Sequence, residues 1–165
     1  MSTRFATAEL RAPIMWSLEG VSKESQRISE QLSEFWSRQR VLASSAWRDS
    51  LLDEISQISE SCGQQGWDGY DAEPVTGESA LRAAQLIGLL PNGIQAPTAV
   101  PEPSGDISLE WRTDNQKHFS LSVSGQSLVY AGIFGGSSRA YGEERFSCVL
   151  PPTVVEILTG YFAQV

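Results

Sequence analysis

The sequence has too few metal-binding side chains to form a structural metal centre. It contains one histidine, His118, and two cysteines, Cys62 and Cys148, which are far apart in the chain and form no CxxC motif. A structural zinc site needs about four Cys or His ligands at characteristic spacings. We therefore expect no metal and no cofactor, and we expect the reduced thiols that are usual in the cytoplasm.

The sequence is also short of basic residues. It has 12 Lys and Arg against 20 Asp and Glu, which gives a net charge of −8. A chain of this charge is repelled by nucleic acid and by anionic membranes. Residues 1–62 carry 7 of the basic and 9 of the acidic side chains, which leaves 5 and 11 for residues 63–165. Any contact with phosphate is therefore expected in the first part, where Arg38, Arg40 and Arg48 are the candidates.

Long apolar runs are missing as well. Glu9 and Arg11 interrupt the N-terminal stretch where a signal peptide would need a continuous apolar segment. No run reaches the length of about 20 residues that a membrane-spanning helix needs. We expect a cytoplasmic protein without a membrane partner.

The first part of the chain does contain a helical pattern of apolar residues. Over residues 18–61 they recur at spacings of three, four and seven, as on one face of an amphipathic helix. Two helices and one long kinked helix both fit this pattern. The apolar face either covers the chain's own sheet or binds another chain, which is a different protein or a second copy. The interaction candidates are Ile28, Leu32, Phe35, Trp36, Trp47, Leu51, Ile55 and Ile58.

The helical pattern ends at residues 66–74, whose sequence is GWDGYDAEP. Glycine permits backbone angles that are closed to other residues, and proline fixes its own φ, so this stretch predicts a rigid structural joint. We expect Trp67 and Tyr70 to anchor the joint by burial, with Asp68 and Gly69 completing it.

The second part of the chain alternates between apolar and polar residues with the period of a β-strand. The clearest strands are predicted over residues 106–112, 118–124 and 127–134, with further candidates at residues 98–100 and 140–149. Apolar residues occupy successive positions in the third of these strands. We therefore expect that strand to be covered on both faces.

Helices are predicted on either side of the strands. Thr76 can cap a helix over residues 80–90, and Pro152 can open a last helix. These patterns together predict an α+β fold, in which N-terminal helices and one further helix precede an antiparallel meander of four or five strands. A C-terminal helix follows, and the helices pack on one sheet face. We expect an N-terminal helical region of residues 1–62 and an α+β domain of residues 63–165.

Few residues show a pattern typical of catalysis. His118 lies among serines on the polar face of its predicted strand, and no G-x-S-x-G motif is present. Glu110 is expected to face water. The carboxylates Asp68, Asp71 and Glu73 are close in sequence but match neither a calcium loop nor a catalytic motif. An enzyme of hydrolase type, with a site at His118 or at these three carboxylates, is the first alternative to a binding protein.

Three segments resemble a family of small uncharacterised bacterial proteins: WDGY at residues 67–70, the helix ending in Leu-Pro at residues 80–91, and PEPSGDISLEW at residues 101–111. The resemblance covers residues 66–162 and leaves residues 1–62 outside it. It implies no established activity and no catalytic residues. The size and bacterial character of the family suit one member of a two-gene module, such as a toxin and its neutralising partner.

These observations favour a non-enzymatic protein-binding module, antitoxin-like or immunity-like, over an enzyme. The acidic second part would meet a basic surface on the partner, and this complementarity speeds encounter more than it adds affinity. A regulator that contacts DNA through Arg38, Arg40 and Arg48 is the second alternative.

Overall fold

The fold is given by a computed structural model that describes residues 27–28, 31, 46–113 and 116–164. The elements in residues 46–113 and 116–164 are three helices and five strands. In chain order they are α1 (Ala46–Ser61), α2 (Gly77–Leu89), β1 (Thr98–Pro101), β2 (Ile107–Thr113), β3 (Lys117–Ser124), β4 (Ser127–Phe134), β5 (Arg139–Arg145) and α3 (Pro152–Tyr161). The predicted α+β class, with helices before and after an antiparallel meander, is confirmed.

The five strands form one antiparallel sheet in the order β1-β2-β3-β4-β5, so strands that follow one another in the chain are neighbours in the sheet. Tight turns allow this arrangement. Gly125 (φ 59°) begins the turn between β3 and β4, and Gly135 (φ 92°) and Gly136 (φ 57°) begin the turn between β4 and β5. These positive φ angles favour glycine, because a side chain would clash with the backbone there.

The sheet buries one face against the helices. Trp111 on β2 lies directly opposite Phe119 on β3, and both side chains are almost completely buried. Phe162, which ends α3, packs on both rings with centroid distances of 6.3 Å. The Trp111 Nε1–H donates a hydrogen bond to the Gln95 carbonyl at 2.9 Å, so the indole is satisfied inside the core. Trp111 therefore faces the core.

The helices begin where their capping residues predict. The Thr76 side chain accepts a hydrogen bond from the Ser79 N–H at 3.1 Å and caps α2, and Pro152 occupies the first turn of α3. Their apolar residues then face the sheet. None of the described helices is long and apolar enough to cross a membrane.

Helix α1 is part of the same core. Leu51, Leu52 and Ile55 are buried in the cluster that also contains the apolar residues of α2 and of the sheet. The described helix of the predicted N-terminal region therefore packs into the same core as the predicted α+β domain. A helix of this kind gains most of its stability from burying an apolar face, so α1 depends on the sheet domain.

Arg48 links the start of α1 to the end of α2. Its Nη2 donates hydrogen bonds to the carbonyls of Leu90 (2.7 Å) and Pro91 (3.3 Å), and its Nη1 donates to Asn92 Oδ1 (2.9 Å). Carbonyls at a helix C-terminus lack helical partners and carry partial negative charge, so a cation is stabilising there. Burial lowers the pKa of the Arg48 guanidinium below its ordinary value.

One strand prediction is wrong. Val129, Ala131 and Ile133 on β4 are exposed, although consecutive apolar residues predicted a strand covered on both faces. The described helices all pack against the opposite face of the sheet, so these three side chains have no cover from them. The last strand is also shorter than predicted and ends at Arg145.

Candidate protein-interaction surface

The face of the sheet that points away from the helices carries no helix in the part of the chain that the structure describes. We call it the open face. Its side chains form three rows across β2, β3, β4 and β5. The rows are Ser108, Ser122, Val129 and Glu143; Glu110, Ser120, Ala131 and Tyr141; and Arg112, His118, Ile133 and Arg139. The face is polar on β2 and β3 and becomes apolar on β4.

Four neighbouring residues, Val129, Ala131, Ile133 and Tyr141, form what we call the apolar strip. Val129 is 36% exposed, Ile133 47% and Tyr141 85%. Ala131 lies between Val129 and Ile133 on β4 and directly opposite Tyr141 on β5, so the four side chains are contiguous. Adjacent exposed apolar side chains bordered by polar ones are typical of a binding surface, whereas scattered ones need no explanation.

A polar cluster borders the apolar strip. Glu110 Oε2 accepts hydrogen bonds from Arg112 Nη2 (2.7 Å) and Nε (3.1 Å), and it lies 3.3 Å from His118 Nε2. The Glu110 side chain is only 13% exposed, against 71% for Arg112, because these neighbours shield it. Glu110 therefore lies on the face expected from the sequence but has less contact with water than predicted. Ion pairs of this kind contribute little stability, about 0–1 kcal/mol.

The loop after β1 covers part of β2 on the open face. Ser108 is only 1% exposed, although its row is otherwise accessible. Its Oγ donates a hydrogen bond to Glu102 Oε1 at 2.7 Å, and the Glu102 N–H donates to the Asp106 carbonyl at 2.9 Å. These bonds hold the loop beside β2. A bound protein would therefore contact β3, β4 and β5 more readily than β2.

The charges on and beside the open face are balanced. The acidic side chains are Glu102, Glu110 and Glu143, and the basic ones are Arg112, Arg139 and Arg145. The acidic excess of the chain therefore lies elsewhere. The open face therefore combines an apolar strip with a rim of both charges, which is the usual anatomy of a protein interface.

The predicted joint is held by backbone hydrogen bonds around Asp68. Its Oδ1 accepts from the N–H of Tyr70 (2.8 Å) and of Ala72 (3.3 Å). Gly66 (φ 73°) and Gly69 (φ 85°) adopt the left-handed conformation that favours glycine. Tyr70 is 85% exposed, so the expectation that it anchors the joint by burial is wrong. The turn is closed by the Asp68 side chain instead.

Trp67 is half-buried and packs against the edge of the core. Its Nε1–H donates a hydrogen bond to the Glu73 carbonyl at 2.9 Å, across the joint. The Glu73 N–H in turn donates to the Pro103 carbonyl at 2.8 Å, which connects the joint to the loop after β1. Trp67 therefore holds the two ends of the turn together, with less burial than expected.

We expect Trp67→Ala to lower the free energy of unfolding by about 2 kcal/mol, because part of the ring leaves the core and one hydrogen bond is lost. Trp67→Phe is the matched control, since it keeps an aromatic ring and removes only the indole donor. Its loss should be about 1 kcal/mol. Urea unfolding at equilibrium measures both values. If Trp67→Ala unfolds at the wild-type midpoint, the ring does not stabilise the joint.

The carboxylates of the joint are dispersed and exposed. Asp68, Asp71 and Glu73 all face solvent, and the Asp68 carboxylate is engaged by backbone N–H groups. Within residues 46–113 and 116–164, no three His, Cys, Asp or Glu side chains lie together as a metal site requires. The described contacts give the three carboxylates no common geometry for binding a cation.

The predicted interaction residues form two stripes along the chain. The first stripe contains Ile28, Leu32, Phe35 and Trp36, and the second contains Trp47, Leu51, Ile55 and Ile58. Leu51 and Ile55 are buried in the chain's own core, with Ile58 and Trp47 packed against it, so the second stripe serves internal packing. Of the two roles that the sequence leaves open for these residues, the burial of Leu51 and Ile55 favours packing in the chain's own core. In the first stripe, Ile28 is helical and half-buried. The remaining members, Leu32, Phe35 and Trp36, lie outside the described residues.

A shallow cleft of about 240 Å³ lies between α3 and the turn from β4 to β5. The stacked rings of Phe134 and Tyr161 form one wall, with centroids 4.5 Å apart, and Arg139 and Glu156 lie at its rim. Its volume is below the range of about 300–1,000 Å³ that is usual for small-molecule sites. It includes neither His118 nor the carboxylates of the joint.

Comparison with known proteins found no matching family model, no similar curated protein and no similar solved structure. The resemblance to small bacterial proteins stays a prediction. Function must therefore be argued from the surface of this chain.

Proposed function

We propose that the protein is a non-enzymatic protein-binding module whose partner docks on the apolar strip of the open face. The observation that carries this proposal is the exposure of Val129, Ile133 and Tyr141 side by side on a sheet face without a described helix. Burying this strip would remove contiguous apolar area from water, which is the main driving force of association.

The shape of the surface supports a protein ligand better than a small molecule. The open face is a sheet surface bordered by charged side chains of both signs, and no deep cleft adjoins the apolar strip in the described residues. Tyr141 is the most exposed member and projects from an edge strand, where it can enter a pocket on the partner. Tyrosine and arginine are common at the energetic centre of interfaces, and Arg139 is on the same strand.

Within this proposal, we assign the protein an antitoxin-like or immunity-like role. The net charge of −8 favours encounter with a basic protein, even though the open face itself is balanced. A toxin that acts on nucleic acid would present such a basic surface. The DNA-binding alternative loses one of its three arginines, because the Arg48 guanidinium is buried and bonded to carbonyls. Arg38 and Arg40 lie outside the described residues.

The test is to purify the tagged full-length wild type and variants from the native cell and to compare the proteins that co-purify with each. In the variant Val129→Lys/Ile133→Lys, two charges replace exposed side chains of the apolar strip. We expect this variant to lose a protein that the wild type retains. The control is Tyr70→Lys, which introduces one positive charge at a residue 85% exposed and outside the open face. The control should retain the partner.

Thermal unfolding of all three proteins shows whether the variants stay folded. Both substitutions replace exposed side chains, so midpoints close to that of the wild type are expected. A partner that binds the folded double variant as tightly as the wild type contradicts the proposed docking surface. Absence of any stoichiometric protein partner from the wild-type preparation contradicts the binding function itself.

A further inference from the structure

The outer edge of β5 is a free strand edge in the described part of the chain, where β5 pairs with β4 alone. We infer that this edge binds the same edge of a second copy, antiparallel and centred on Tyr141, so that two five-stranded sheets become one continuous sheet. This inference does not rest on the proposed function, because it is argued from the backbone edge and the charges of β5, although Tyr141 belongs to both surfaces.

The hydrogen bonds of the β4–β5 hairpin show which backbone groups are available. At one end the Phe134 N–H donates to the Ser138 carbonyl (3.0 Å), and at the other the Phe146 N–H donates to the Gln126 carbonyl (2.8 Å). Hydrogen-bonded pairs in an antiparallel ladder recur at every second residue. The even-numbered residues of β5 therefore bond to β4, and the odd-numbered ones direct their N–H and C=O groups outward.

Symmetry then limits how two copies can pair. In a two-fold antiparallel arrangement, residues opposite each other must lie on the same sheet face, so odd-numbered residues oppose odd-numbered ones. A register centred on Tyr141 satisfies this condition. It places Tyr141 opposite Tyr141, and it places Arg139 of each copy opposite Glu143 of the other. All outward N–H and C=O groups of these three residues then find partners.

Charge favours this register over two of its neighbours. Moving the centre to Gly142 would place Arg139 opposite Arg145, and centring on Glu143 would place two carboxylates opposite each other. Opposite charges directly across a strand pair are stabilising, and like charges are destabilising. Charged edge strands normally resist pairing, and the charges of β5 favour the register centred on Tyr141 over those centred on Gly142 and Glu143.

Small residues allow the close approach on the helix side of the new strand pair. In the register centred on Tyr141, Ala140 of one copy lies opposite Gly142 of the other. On the open face the two Tyr141 rings meet, which is a favourable cross-strand aromatic pair. The area of a seven-residue strand pair is small for a stable interface, so we expect a reversible dimer with a dissociation constant on the order of micromolar.

The test is sedimentation of the full-length protein over a range of concentrations. The wild type should change from monomer to dimer as its concentration rises. Arg139→Glu and Glu143→Arg each turn both opposite-charge pairs of the dimer into like-charge pairs, so each variant alone should dimerise at least about tenfold more weakly. Arg145→Glu is the matched control. It reverses a charge on the same face of β5 but lies opposite Ser137 in this register, and it should dimerise like the wild type.

Two rescue experiments separate this interface from any other. The double variant R139E/E143R restores opposite charges in both pairs and should recover wild-type dimerisation within about twofold. A mixture of the two single variants should form a heterodimer, because each carries the charges that complement the other. Light scattering of the mixture and of each variant alone measures this difference.

Two results would overturn the inference. One is a wild type that stays monomeric up to several hundred micromolar, which includes the case in which residues 1–45 of the same chain cover the edge. The other is a dimer whose affinity is unchanged by both single reversals, which would place the interface elsewhere, for example on the N-terminal helices.

Discussion

Phe119→Ala is expected to lower the free energy of unfolding by about 3–5 kcal/mol, the range typical of removing a fully buried aromatic side chain. Phe119 is 0% exposed and lies at the centre of the aromatic core. Its ring contacts those of Trp111, Tyr130, Phe134 and Phe162 at centroid distances of 5.9, 6.4, 6.1 and 6.3 Å. Close packing on all sides prevents the core from collapsing into the space that the ring leaves.

Equilibrium urea unfolding measures this loss, and two further variants define its cause. Phe119→Leu keeps most of the side-chain volume and should cost about 1–1.5 kcal/mol. Tyr70→Ala removes an aromatic ring that is 85% exposed and should change stability by less than about 0.5 kcal/mol. An equal loss for Phe119→Leu and Phe119→Ala would mean that the size of the cavity does not control the effect.

Arg48→Leu is expected to lower the free energy of unfolding by about 3 kcal/mol, because the carbonyls of Leu90 and Pro91 and the Asn92 amide lose a charged donor. Leucine fills part of the volume, so the loss reports the hydrogen bonds more than a cavity. The lowered pKa of Arg48 shows that burial opposes its charge, but the guanidinium stays protonated at any ordinary pH.

Arg48→Lys is the matched control for charge. It keeps the cation but cannot reproduce the planar fork that reaches two carbonyls and an amide, so an intermediate loss is expected. Asn92→Ala removes one acceptor and should cost about 1 kcal/mol. A variant Arg48→Leu that is as stable as the wild type would show that water replaces the guanidinium at the end of α2 without cost.

The open face could have been predicted in part from the sequence. The serines and His118 of β3 mark a solvated face, and a tight turn at residues 125–126 places β4 directly beside it. Val129, Ala131 and Ile133 must then share that face, opposite Ser122, Ser120 and His118. The run of apolar residues conceals this relation, because the face of each side chain depends on the register across the hairpin and not on the composition of one strand.

The local elements of this protein follow from short-range patterns in its sequence. Alternation in β2 and β3, the Thr76 cap of α2, the proline that opens α3 and the glycine turns all depend on residues close together in the chain. Their physical causes are steric and hydrogen-bonding preferences that need no distant partner. The order of elements and the antiparallel meander followed from these signals.

Which apolar and charged side chains are covered depends on tertiary contacts. The apolar pattern that contains Leu51 and Ile55 is equally compatible with packing in the chain's own core and with binding a partner. In the structure, both residues are buried in the core that α1 forms with α2 and the sheet. Arg48 lies inside the fold because the end of α2 is beside it, a contact between residues more than 40 positions apart. Tyr141 stays exposed to solvent because the described helices pack on the face of the sheet opposite to the open face. Burial depends on which surfaces meet across the whole chain, and amphipathic periodicity does not specify that choice.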